Sequence, residues 1–259
     1  MYASNYFEEK MLNLMRSQSI TAPTNLYLAL FLSSPGDDGT SGTEISYTGY
    51  ARQAITFSAP TASGNGLIMS NSALITFPQA SVSAGSVTYA AVFDSSSGGN
   101  MWLYGPLDTA LTVQAGVSPV FRAGSVSWLW SGNLSTYYRT AIMNTLRGTD
   151  CAGFSPYIAL CNGDPTASGS EFSGNNYARM AVTMTVPSQQ ASGTAMSQNS
   201  SYITSSTSSG TWGTLTTLAI ADAATGGNYF CIGTLTNSYA VNSGYSVTVP
   251  SGAIQVNVN

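Results

Sequence analysis

Apolar positions along this chain follow two rhythms. Near the start, Phe7, Met11, Leu14 and Met15 fall on one face of a 3.6-residue period, and Asn5 with Glu8 three residues on has capping-box spacing. This predicts a helix near residues 5–17 that stops before Pro23. Beyond it the apolar runs shorten, alternate, and are divided by Gly, Ser, Asn, Asp and Pro. Strands are predicted over 25–31, 51–57, 66–70, 73–77, 87–93, 102–107, 111–113 and 124–130. The last alternates cleanly, placing Val126, Trp128 and Trp130 on one face. Asp94 to Asn100, with its Gly98-Gly99 pair, reads as a hairpin loop closed by an Asx turn.

The same order of signals then returns. Tyr27-Leu28-Ala29-Leu30 recurs as Tyr157-Ile158-Ala159-Leu160, Tyr50-Ala51-Arg52 as Tyr177-Ala178-Arg179, and Gly98-Gly99-Asn100 as Gly226-Gly227-Asn228. Tyr6, Phe7, Met11 and Arg16 correspond to Tyr137, Tyr138, Ile142 and Arg147, which predicts a second helix near 135–147. The offset drifts between 127 and 131 without breaking order, as small loop insertions produce. The expected architecture is mainly β: two tandem antiparallel β-sandwich, jelly-roll-like domains, 1–130 and 131–259, each opened by a short α-helix. A short joint at Ser131-Gly132 should hold them close together.

Composition narrows the function. Only 7% of the 259 residues are charged, against about 25% in a typical soluble domain. Short hydroxyl and amide side chains must therefore form the surface, and these lose little rotamer entropy when another subunit covers them. A net charge of −4 with no basic run argues against nucleic acid and against a membrane surface. No segment has the apolar length of a membrane span or the layout of a signal peptide.

Catalytic chemistry has little to draw on. The chain contains no histidine and one lysine, Lys10, so neither a serine triad nor a Ser-Lys pair has its base. Cys151, Cys161 and Cys231 form no metal-binding spacing, and no catalytic residue, metal or cofactor is expected. Asp37-Asp38 lies in a Gly- and Ser-rich loop that the second copy keeps only as Asp164 and Glu171 nearby. Arg52 and Arg179, each after a Tyr-Ala, are the charged residues that stand out. With Tyr50 and Tyr177 they are expected to form a structural motif, bonding loop carbonyls or an acid such as Glu44 or Glu171. Tyr47, Tyr104, Tyr239 and Tyr245 fall in or beside loops and are candidate surface contacts, for a sugar ring or for protein.

Leu26-Tyr27-Leu28-Ala29-Leu30-Phe31, then Pro35, Gly49-Tyr50-Ala51-Arg52-Gln53, Asn71-Ser72, Phe93-Asp94 and Gly98-Gly99-Asn100 together resemble a domain of tailed-bacteriophage virion proteins, often labelled tail-fibre proteins. The likeness covers the first copy and, with Cys161, Met180 and Met184 in place of Phe31, Gln53 and Phe57, the second. It implies a non-enzymatic structural protein on the exterior of the virion. Its implied partners are other phage virion proteins, major capsid or tail, with assembly as a homo-oligomer in the particle. The absence of a shaft favours a capsid-decorating or cement protein. The alternatives are a tail-fibre or baseplate-associated protein and a glycan-binding adhesin domain.

Overall fold

The computed structural model describes residues 1–191 and 193–258. Its two helices are short. The first, Asn5–Asn13, runs on as a 3-10 turn over Leu14–Arg16, and the second spans Thr136–Thr145. Each is started by a serine: Ser4 Oγ accepts from Phe7 N at 3.4 Å and Ser135 Oγ from Tyr138 N at 3.3 Å. The cap is therefore Ser4, not Asn5. Glu8 points into the protein instead of back to the helix end.

Five antiparallel strands form the first repeat's large sheet, in the order Tyr2–Ala3, Met101–Val113, Gly85–Phe93, Leu26–Phe31, Gln53–Ile55. The second repeat places Ser170–Glu171, Tyr157–Asn162, Gly213–Ala221 and Tyr229–Val241 in order, with Met180–Ala181 also on Tyr157–Asn162. The central registers coincide. Tyr27 faces Phe93 and Leu28 faces Val92 in one repeat, while Tyr157 faces Ala221 and Ile158 faces Ile220 in the other. Residues 102–107 and 111–113 belong to one 13-residue strand, Met101–Val113, kept continuous across a bulge between the Val87 and Tyr89 pairings. The second repeat has the same irregularity between Leu215 and Thr217.

A smaller sheet covers each large one. It is Ser127–Trp130, Gly66–Ser70 and Thr61–Ser63 in the first repeat, and Ser188–Gln189, Ala195–Gln198 and Gln255–Val258 in the second. Alternation decides which way these strands face. Val126, Trp128 and Trp130 are buried while Leu129 is 53% exposed; likewise Val256 and Val258 are buried and Gln255 and Asn257 are not.

The repeats are not merely tethered. The Asn5–Asn13 helix packs on its own Met101–Val113 strand and also on Ala195–Gln198 and Gln255–Val258 of the second repeat. The Thr136–Thr145 helix packs on its own Tyr229–Val241 strand and on Gly66–Ser70 of the first. Between the helices, Ile20 and Cys151, equivalent residues of the two repeats, exchange backbone bonds of 2.8 and 3.0 Å. One apolar cluster consequently runs from Ala3 to Val258 through both repeats. A chain cut between the exposed residues Ser131 and Gly132 is expected to elute from gel filtration as a single particle and to melt in one transition. Separation of the fragments without denaturant would contradict this packing.

Candidate functional site

The two Tyr-Ala-Arg segments build the same clasp twice. The Arg52 guanidinium donates to Glu44 through Nε at 2.9 Å and Nη2 at 2.8 Å, and its Nη1 reaches the carbonyls of Gly98 at 2.7 Å and Ser95 at 3.2 Å. Arg179 donates to Glu171 at 2.8 and 2.7 Å, and to the carbonyls of Ala223 and Gly226 at 2.7 and 2.6 Å. The fork of the guanidinium matches a carboxylate bidentately and leaves one nitrogen free for the loop. Tyr50 and Tyr177 complete the clasp, donating to Glu44 and Glu171 at 2.9 and 2.8 Å while accepting from Leu30 N and Leu160 N. Beneath Arg52 lies the Phe93 ring, 3.7 Å from the guanidinium carbon. In the second repeat that support comes from Tyr229, 5.3 Å away, whose hydroxyl also donates to Glu171 at 2.7 Å.

The loop so held is the Gly-Gly hairpin. Asp94 accepts from Asn100 N at 2.7 Å and Asp222 from Asn228 N at 2.7 Å. Gly99 and Gly227 have φ of 76° and 67°, and a Cβ there would lie 2.6 and 2.1 Å from those carboxylate oxygens. The Asp residues thus serve the turn, and the Arg residues tie that turn to the acid across the sheet.

The four candidate contact tyrosines divide. Tyr47 is buried at 8% exposure, donates to Pro78 O at 2.8 Å and packs edge-on to Tyr50; it is a core residue, not a surface one. A loop position in sequence does not preclude this, because the loop folds back over the sheet. Tyr104 is half-buried, 5.9 Å from the Tyr2 ring and bonded to Asp37, and its hydroxyl is pushed up to about 12 by burial and then by Asp37. Only Tyr239 and Tyr245 are exposed, at 57% and 58%, and both border a groove of about 760 Å³ lined by Leu215, Leu218, Leu235 and Ile254.

Two residues given no site role from sequence, Glu8 reading there as a capping partner, occupy the junction between the repeats. Glu8 is fully buried and accepts from Ala195 N of the second repeat at 3.0 Å; burial, then the nearby Asp37 carboxylate, pushes its pKa to about 8. Arg139, at the matching position of the second helix, donates to Asn65 O at 3.0 Å and Trp130 O at 3.3 Å of the first repeat. The signal was present at an offset of 131 residues, as a charge reversal on the apolar side of two otherwise similar helices.

Nucleophiles and metal-binding clusters are scarce. Cys161 and Cys231 are buried, free thiols that burial pushes up to about 12. Among the described residues, no three His, Cys, Asp or Glu gather in a metal-binding group. No helix among them is long and apolar enough to cross a membrane.

Two equivalent β-sandwiches, each stapled internally by an Arg-Glu-Tyr clasp, define a duplicated structural module. The chain belongs to the family described as "Podophage GP4 fiber I protein gp80", whose model matches residues 2–128 and again 133–257. A comparison with curated proteins finds no match. Membership places the protein on the exterior of the virion, as a structural component in contact with other virion proteins.

Replacing Arg179 by Met is expected to lower stability by on the order of 1–3 kcal/mol in chemical denaturation, with Arg52→Met behaving alike. Acid should act through Glu171. Burial raises its pKa, but bonds from Arg179, Tyr229 and Tyr177 outweigh this and hold it below 4.5. A depressed carboxylate contributes stability that is full above the unfolded value and is lost as pH falls through the folded one. The stability gap between wild type and Glu171→Gln should therefore shrink from neutral pH to about pH 3; a constant gap would refute the assignment.

Proposed function

We propose that this protein is a tail-fibre subunit that works by binding neighbouring subunits and not by turning over a substrate. The match of a podophage fibre family to both repeats carries this reading. The capsid-decorating role, favoured from compactness alone, finds no support in that family, and the tail-fibre alternative fits better. Compactness does not oppose a fibre role, since a globular module can cap or join a fibre without forming its shaft. The chemistry agrees with a binding role: each buried thiol is shielded, and Glu44 and Glu171 already accept from an Arg and a Tyr.

The second repeat supplies the contact surface that best fits a second copy of the chain. No charged side chain follows Asp222. In the first repeat Asp108 and Arg122 are exposed and Leu111 and Val117 half-buried; the matching positions of the second are Thr236, Pro250, Tyr239 and Tyr245. Charge has been replaced by neutral and aromatic residues beside an apolar groove. In an isologous pair each such face meets its own kind, so an uncharged face leaves no like charges opposed and none unpaired. Tyrosine contributes large contact area at low entropy cost.

Antibody labelling of intact particles is expected to mark the tail; label on the capsid shell would overturn the fibre reading. Tyr239→Ser with Tyr245→Ser should weaken self-association by at least about tenfold in sedimentation equilibrium, consistent with loss of roughly 1.4 kcal/mol or more. Asp108→Ser with Arg122→Ser, at exposed positions of the first repeat, should leave association unchanged.

A further inference from the structure

We propose that the oxygen cluster of Asn5, Glu8, Asp37 and Gln189 binds one hard divalent cation, of the calcium class, and that the ion locks the first helix to the second repeat. Five buried side-chain polar atoms among the described residues lack a hydrogen-bond partner, and four are oxygens of these residues: Asn5 Oδ1, Glu8 Oε1, Asp37 Oδ1 and Gln189 Oε1. Hydrogen bonds and the charge interaction between Glu8 and Asp37 tie the residues that carry them into one neighbourhood. Asn5 N donates to Asp37 O at 3.1 Å, Gln189 Nε2 donates to Asn5 O at 3.3 Å, and Ala195 N donates to the other Glu8 oxygen at 3.0 Å. Glu8 is 0% exposed, whereas Asn5, Asp37 and Gln189 are half-buried, so the cluster has one deep ligand and an approach from solvent.

The chain provides no positive charge there. Among the described residues no Lys or Arg bonds Glu8 or Asp37, and Lys10 lies over the Tyr6 ring at 4.9 Å. The contrast with the matching junction is direct. At the position equivalent to Glu8, Arg139 brings a guanidinium to two carbonyls of the other repeat. One junction thus has its cation built in, and the other presents two carboxyl groups and two amide oxygens, with the Tyr104 hydroxyl bonded to Asp37 as the neighbouring donor. Carboxylate and amide oxygens without nitrogen or sulfur are the donor set of calcium, which accepts irregular arrangements and can keep water in the remaining positions. Magnesium, which demands near-ideal octahedral geometry, suits this set less. A proton on Glu8 is the competing solution. It would make one oxygen a donor to one of the other three and leave two still unsatisfied.

The test uses the full chain, stripped with chelator and titrated with calcium chloride, followed by isothermal titration calorimetry and thermal melting. One calcium per chain, with Tm climbing steadily per decade of calcium above the dissociation constant, is expected, and a weaker response to magnesium. Glu8→Gln should abolish binding. Asp37→Asn, at a half-buried position where folding is less at stake, should weaken it by about tenfold or more. Asp164→Asn, a loop acid elsewhere, should leave it intact. If wild-type binding and Tm are flat in calcium, the proposal fails. A Glu8→Gln variant as stable as the calcium-indifferent wild type would then assign the cluster to a protonated carboxyl.

Discussion

The fold depends on a cross-over of helices between its two repeats. A three-stranded sheet with one apolar face cannot shield that face alone. Here each small sheet is covered partly by the other repeat's helix, so that Gly66–Ser70 meets Thr136–Thr145 and Ala195–Gln198 meets Asn5–Asn13. The backbone exchange between Ile20 and Cys151 ties together the equivalent segments that follow the two helices. Neither repeat's core is closed without the other.

Charge is used sparingly and almost entirely for internal fastening. Arg52 and Arg179 each join a strand, an acid and a hairpin loop; Asp94 and Asp222 close those loops; Arg139 and Arg147 reach carbonyls of the first repeat, Arg147 Nε lying 3.4 Å from Phe57 O. With these groups committed, little remains for long-range attraction. Recognition on the surface must work at short range, through hydroxyl, amide and aromatic contacts.

Much of this was legible from residues alone. The duplication, the opening helices, the central strands and the inward Val126-Trp128-Trp130 face follow from local periodicity, which tertiary contacts reinforced. The two-residue strands Val120–Phe121 and Thr248–Val249 were not visible, because a pair that short has no period. Nor was the cap at Ser4, since Ser4 and Asn5 are equally good candidates and only the direction of Glu8 decides between them. Tyr47 was misplaced on the surface because loop residues read as exposed until the fold supplies the Pro78 carbonyl to bond. The junction at Glu8 and Arg139 was hidden for a deeper reason: sequence repeats announce equivalence, but not that equivalent helices serve each other's neighbour.

Fusing the repeats into one polypeptide releases them from having to be identical. A dimer of a single-repeat chain would place the same side chain at both junctions, so a change that helped one would be imposed on the other. Here position 8 is Glu and its counterpart 139 is Arg, each settled against a different partner surface. The covalent joint at Ser131-Gly132 therefore does more than keep the halves together. It gives each half a separate hereditary record, in which one junction can change its side chains while its twin keeps its own.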